Sequence, residues 1–403
     1  MTLSLTPSRR RMLGILGGAA LALPSLAAPR FVTAAGAPAR GPNVLVLVEL
    51  AGGNDGLNTV IPIRDPRYRA LRPGIGIPSS RTLTVDRDTG LHPSLGAFAK
   101  LWQAGDLQIV EGVGYPNPNR SHFRSIEIWN AGGGADDAGA RGWVSHAFDG
   151  KDPQPRDLDG LVLGGDMGPL RGPGRFSAMR DGDSFADVQD QLAQLQDPGH
   201  PVRPQAGTNA ALDHVLRSYD SARVTGDTIL SRLDRSPARR LRFPDTDLGQ
   251  QLRTAARLLE AGVSVPVMKV VQHGYDTHEA QPLQHADLLS DLSEALNAFA
   301  DALQTIGLWN AVTVVTYSEF GRTPHENASG GTDHGTAAPL FVAGGSVAGG
   351  LGGARPSLEA MKDGALVHTT DYRQVYDGLL RDLWGITGGF APGAAPPLRL
   401  LKV

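Results

Sequence analysis

The run Ala311–Tyr317 (AVTVVTY) reads as a buried strand, and it opens directly onto SEFGRTPHENASGGTDHG, from Ser318 to Gly335. A continuous apolar run is the pattern of a strand covered on both faces, as in a mostly parallel sheet between helices. Three other segments repeat the arrangement. Asn43–Leu50 (NVLVLVEL) precedes a Gly-Gly-Asn-Asp-Gly loop at Gly52–Gly56. Leu107–Val113 precedes Gly114–His122 (GYPNPNRSH), and Val265–Gln272 precedes His273–His278 (HGYDTH).

Pro339–Ala343 reads as a further strand. Helices are expected over Leu95–Ala104, from near Ser121, over Leu288–Gly307, and over Thr370–Leu383, with Gly and Pro as punctuation. Strand, helix and strand at this spacing predict βαβ units and an α/β fold. Val188–Leu195, Asn209–Ser221 and Asp247–Ala261 read as helices of an insertion over about 170–262.

In such folds ligands bind outside the carboxyl ends of the strands. The four loops carry Asn54 and Asp55; Ser121, His122 and Ser125; Asp276 and His278; and Glu319, Asp333 and His334. These are oxygen and imidazole donors suited to a metal ion. With Cys 0, thiolate ligands and disulfides are excluded. Simpler roles compete. Asp55 between glycines suits a turn. Ser121 suits a helix N-cap, which is also a place for an anion. Arg120 and Arg322 suit either a carboxylate partner or an anionic substrate. His92 and His146 read as structural, His214 as surface, and His285 and His325 as solvated or behind a site.

A net charge of -3 with 20% charged residues gives no basic face for nucleic acid. At the start, Arg9-Arg10-Arg11-Met12-Leu13 leads into the apolar run Leu13–Leu23 and small residues at Ser25–Ala28. That is the layout of an export signal, and the arginine pair before Met-Leu suggests the twin-arginine route. The run is interrupted by Gly14, Gly17 and Gly18 and falls short of the roughly 20 apolar residues that span a bilayer. Residues 1–35 are therefore expected to be signal and short linker, and 36–403 the folded domain. A permanent membrane anchor is not expected; the twin-arginine translocase is the expected partner during export, and the periplasm or exterior the destination.

ELAGGNDGLNTVIP, GVGYPNPNRSHFRSIEIW, GYDTH, SEFGR, GTDHG and DYRQVY together resemble the domain of unknown function 1501 family, across nearly the whole chain after the signal. That family is grouped with the alkaline-phosphatase/sulfatase superfamily. The resemblance implies a three-layer α/β fold, with one or two divalent metal ions (Zn, Ca, Mg or Mn) above the sheet. It places the nucleophile on Ser121 and a first-strand metal ligand on Asp55. Asp276, His278 and His334 would hold a first metal, and Asp55 with Glu319 a second, all-oxygen site. Asp333 would be a ligand or stand behind His334. His122 or His278 would protonate a leaving group, and Arg120 or Arg322 would hold the anion.

The chain departs from the superfamily pattern in two places: Asp276-x-His278 is shorter than the usual Asp-x-x-x-His, and Ser318-Glu319 stands where an Asp-His pair is usual. Two functions follow. One is an exported metal-dependent hydrolase of phosphate or sulfate esters, acting on a small anionic ester or glycan. The other is a non-catalytic exported binding or assembly protein that keeps the fold. A metal-free serine hydrolase is disfavoured, since no serine lies in a G-x-S-x-G elbow.

Overall fold

The computed structural model describes residues 43–403 apart from 137–140, 151–155, 180–225, 227–228, 234–241, 394 and 403. The expected export signal, His214, and the helices expected at Val188–Leu195 and Asn209–Ser221 lie outside the described residues. Among the described residues no helix is long and apolar enough to cross a membrane.

A nine-stranded sheet forms the centre. Its strands are β1 (Val44–Ala51), β2 (Leu107–Gly114), β3 (Gly160–Val162), β4 (Phe176–Ala178), β5 (Val267–His273), β6 (Val312–Tyr317), β7 (Ala338–Ala343), β8 (Gly350–Gly353) and β9 (Thr370–Asp371). They lie in the order β8-β2-β7-β6-β1-β5-β3-β4, with β9 also paired to β2. β1 runs parallel to β5 and β6, whereas β7 is antiparallel to both its neighbours, β2 and β6.

Alternate residues of β1 enter opposite cores, as a strand's period of two requires. Val44, Val46, Val48 and Leu50 pack with helices α1 (Gly96–Ala104), α3 (Asp247–Glu260) and α4 (Gln281–Thr305). Leu45 and Leu47 pack on the other side with α2 (His122–Ala131) and α5 (Tyr372–Trp384). The result is a mixed α/β fold of three layers. Glu49, the polar residue of the first strand, shares that second side. Its Oε2 lies 2.7 Å from Lys269 Nζ and accepts a hydrogen bond from the Tyr317 hydroxyl at 3.1 Å. Pairing of this kind is what lets a charge sit in a core.

Two boundaries differ from the sequence reading in an informative way. α4 starts at Gln281 rather than Leu288 because Pro282 occupies its first turn, where a missing N–H costs nothing. The segment expected to begin the helical insertion contains β4, which extends the central sheet beside β3.

The register sets where the loops emerge. Ala51 pairs with His273 and Glu49 with Tyr317, so β1, β5 and β6 end at one edge of the sheet. Ala338 pairs with Val113, so antiparallel β7 enters the sheet near the end where β2 leaves it. The segment 318–337 thus departs and returns at the same edge, and all four candidate loops share it.

Candidate metal centre

Each loop at this edge is shaped by contacts that leave little freedom. Gly52 and Gly53 have φ of 120° and 82°, and a Cβ on Gly52 would stand 2.4 Å from the backbone N of Asp276. Only glycine lets the first loop lie this close to the third. The fully buried Arg322 guanidinium then joins the loops. It donates to the carbonyls of Gly53 (2.7 Å), Tyr275 (2.9 Å) and Thr332 (3.1 Å), to that of Gly52, and to Asp276 Oδ1 at 2.6 Å. Its donors are used inside the protein, on the loops and on Asp276.

Asp276 Oδ1 is the hub of the site. It lies 3.0 Å from His278 Nε2, 3.2 Å from His334 Nε2 and 3.4 Å from His122 Nε2. His278 Nε2 and His334 Nε2 are themselves 2.9 Å apart. Ligand atoms of His122, Asp276 and His334 all fall within 4.8 Å of one another. Burial opposes ionisation of Asp276, but the hydrogen bond and charge of Arg322 outweigh it, and the carboxyl is held below its usual range.

The far side of every ring is tied to an acceptor. His334 Nδ1 lies 2.8 Å from the carbonyl of Arg120, His122 Nδ1 2.9 Å from Glu319 Oε1, and His278 Nδ1 3.4 Å from Asp333 Oδ1. Carbonyls and carboxylates only accept, so each Nδ1 carries a proton, and each Nε2 faces the cluster. Glu319 is fixed in turn by the Gly52 N–H at 2.8 Å. Phe320 packs against the rings of His122 and His334.

Three Nε2 atoms crowd one carboxylate oxygen, and Arg322 Nη1 lies 3.4 Å from one of them, that of His278. His122 Nε2 is buried and makes no hydrogen bond, which calls for an explanation. A metal ion fits the donor set. Tetrahedral ligands about 2.0–2.1 Å from zinc stand about 3.3 Å apart; the distances from Asp276 Oδ1 to the three rings, and between His278 and His334, run from 2.9 to 3.4 Å. Three carboxylates (Asp276, Glu319, Asp333) against one guanidinium (Arg322) leave a surplus of two negative charges around the cluster. Imidazole tied through Nδ1 to an acceptor is the usual support of a metal ligand.

The other candidates fall elsewhere. Asp55 and Glu319 have different partners: Glu319 meets His122 and the Gly52 amide, and Asp55 meets Arg72 and Gln281. Asp55 is fully buried, its Oδ2 is 2.7 Å from Arg72 Nη1, and it also accepts from Gln281 Nε2. A guanidinium thus pairs with Oδ2, while Asp55 Oδ1 is buried with no hydrogen-bond partner. Burial works against the Asp55 carboxylate, but Arg72 overcomes it and holds the carboxyl below its usual range. Glu319 and Asp333 stand behind His122 and His278, where they orient rings. Ser121 is exposed at the N-cap of α2, and its hydroxyl makes no capping bond. Ser125 is buried, and its hydroxyl meets Tyr115 and the Glu319 carbonyl. His285 is buried against Asn54 Oδ1 (2.9 Å), and His92 packs edge-on to it; burial lowers both histidines to about 4. His325 is exposed. Arg72 and Gln281 went unnoticed in the sequence. Gln281 carried a weak signal, three residues past His278, but nothing near Arg72 points to Asp55.

Solved structures similar to the chain share little sequence with it. One from the alkaline phosphatase superfamily of Vibrio parahaemolyticus is 11% identical, over 85% of this chain and 67% of that one, with a TM-score of 0.37. The lipoteichoic acid synthase of Listeria monocytogenes is 8% identical over 88% and 75%, with a TM-score of 0.38. The phosphonate monoester hydrolase of Agrobacterium radiobacter is 12% identical over 86% and 74%, with a TM-score of 0.37. At such similarity no residue's role is carried across. No curated protein matches the chain. Residues 87–374 match the family described as "Protein of unknown function (DUF1501)", and the chain, matched over more than half its length, belongs to that family.

Proposed function

We propose that this protein is an exported, metal-dependent hydrolase of phosphate or sulfate esters. The observation that carries the reading is the convergence of three imidazole Nε2 atoms on Asp276 Oδ1, each ring held through Nδ1 by an acceptor. His122, Asp276, His278 and His334 are the ligands in this reading. A nitrogen-rich set favours zinc or a late transition ion over calcium or magnesium. When bound, the ion supplies Lewis-acid polarisation of the ester oxygens.

The chain's own groups do the rest. Ser121 precedes ligand His122, its hydroxyl is exposed and not used in capping, and it is the assigned nucleophile. Its oxygen bonds to phosphorus or sulfur as the ester oxygen leaves with a proton, and water later releases the serine. The first-turn amides of α2 offer N–H groups to the anion. Arg322 keeps Asp276 and three loops in register. Export rests on Arg10-Arg11 and the apolar run after them.

The test uses purified protein loaded with zinc or manganese and offered aryl phosphate and aryl sulfate. Turnover is expected, and Ser121→Ala should lower it by about 10³-fold or more. Folded, metal-replete protein inactive on both esters overturns the reading. Lysines at Arg10 and Arg11 should keep the protein inside the cell; unchanged export would refute the twin-arginine route.

One observation favours a second reading, a non-catalytic binding protein: Arg322 already puts a positive charge 2.6 Å from Asp276 Oδ1. Elemental analysis of protein purified without chelators separates the two. About one metal per chain supports the enzyme, and none supports the binding protein.

A further inference from the structure

Beside the histidine cluster lies a cavity of about 550 Å³, within the size range of small-molecule sites. It adjoins the cluster through the chain itself. Arg120 lines it with its side chain while its carbonyl accepts from His334 Nδ1 at 2.8 Å. Thr336, two residues beyond His334, lines it as well.

The outer wall is a hairpin of two short antiparallel strands, Met361–Lys362 and Ala365–Leu366. Its turn residues Asp363 and Gly364 both have positive φ, 51° and 73°. This is the tight Asp-Gly turn that suits a two-residue hairpin. The turn presents the Asp363 carbonyl to Arg120 Nη2 at 2.9 Å, which pins the guanidinium against the cavity. The neighbouring Lys362 also lines it.

Both cations are unneutralised. Arg120 bonds only a neutral carbonyl, and among the described residues neither Arg120 nor Lys362 has a carboxylate partner. Asp363 is the one carboxylate in the lining, and Leu366 and Val367 give it an apolar portion. Positive groups, an apolar wall and a metal-ready cluster next door describe a site for an organic anion.

We propose that this cavity binds the non-reacting part of the substrate, and that this part carries an acidic group of its own on a body of about sugar size. Arg120 and Lys362 pair with that group while the ester to be cleaved faces the histidines. The proposal rests on the hydrolase reading for the direction in which the substrate lies, though binding can be measured without turnover.

Glucose, glucose 6-phosphate, glucose 6-sulfate and glucuronate differ only in the acidic group, and calorimetry of metal-replete Ser121→Ala protein reads their binding directly. At least one acid should bind about tenfold or more tighter than glucose, and Lys362→Ala and Arg120→Ala should each remove most of that preference. Salt should weaken it. Inorganic phosphate and sulfate, lacking the body, should bind more weakly than the acidic sugars. No preference for any of the acids over glucose, or a preference unchanged in both variants, overturns the proposal. Acidic-sugar binding by a protein inactive on all esters overturns the hydrolase reading alone. Ester turnover without the preference overturns the cavity assignment alone.

Discussion

Asp55 and Asp276 occupy matching places. Each lies a few residues beyond the end of a parallel strand, β1 or β5, and those strands are neighbours with Ala51 opposite His273. Each has an arginine within 2.7 Å. Yet the Asp55 side chain is fully buried and that of Asp276 is 48% exposed. Around Asp55 the remaining hydrogen-bond partner is a donor, Gln281, with Tyr68 on neighbouring Asn58. Around Asp276 they are the Nε2 atoms of His122, His278 and His334. The two carboxylates thus share one edge of the sheet in different surroundings, one closed and one open to solvent.

The sharpest way to break this contrast is Arg72→Ala. Removing one member of a buried pair costs about 3–5 kcal/mol, because the other charge stays behind in the core. Urea unfolding should show that loss. His334→Ala, which leaves the Arg322–Asp276 pair in place, should keep stability much closer to wild type while abolishing stoichiometric metal. Similar destabilisation by both would erase the distinction.

A smaller effect is expected behind the histidines. Glu319→Gln keeps an acceptor for His122 Nδ1 and the Gly52 amide but removes the charge. Metal affinity should fall about 10–100-fold, the usual range for a partner of a ligating histidine. Competition with a chromogenic chelator measures it, and an unchanged affinity would mean that Glu319 does not support the site.

The smallest effect concerns pH in the closed region. Burial lowers His92 and His285 to about 4, against about 6.5 when unfolded. Their stabilising effect is therefore complete above pH 6.5 and declines as pH falls toward 4. The slope is at most about 1.4 kcal/mol per pH unit for each histidine. Urea midpoints of metal-free protein between pH 7 and 5 should follow it, and His285→Gln should flatten it. A slope indifferent to that change would show that these rings do not govern the decline.

Much of this was legible in the residues. The apolar runs of β1, β2, β5 and β6 located the sheet, and the polar loops after them located the site. Strand direction was not legible, because an apolar run looks the same either way; hence the reversal of β7, which returns His334 to the edge that Glu319 leaves, appeared only in the pairing. The division of labour among donors was also hidden. His122 opens a helix and read as a proton donor, while Glu319 read as a ligand. The imidazole of His122 lies 3.4 Å from Asp276 Oδ1, and Glu319 meets the other nitrogen of that ring. The partner of Asp55 was hidden for a similar reason: Arg72 comes from a separate turn with no periodic relation to it.

Arg322 has a consequence for motion. One planar group holds carbonyls from the loops after β1 and β5 and from the returning segment before β7. To loosen any of these loops is to strip donors from the same buried cation, so they are bound to open together or not at all. The site behaves as a single cooperative unit in local unfolding, in the sense of a foldon built from loops that are distant in the chain.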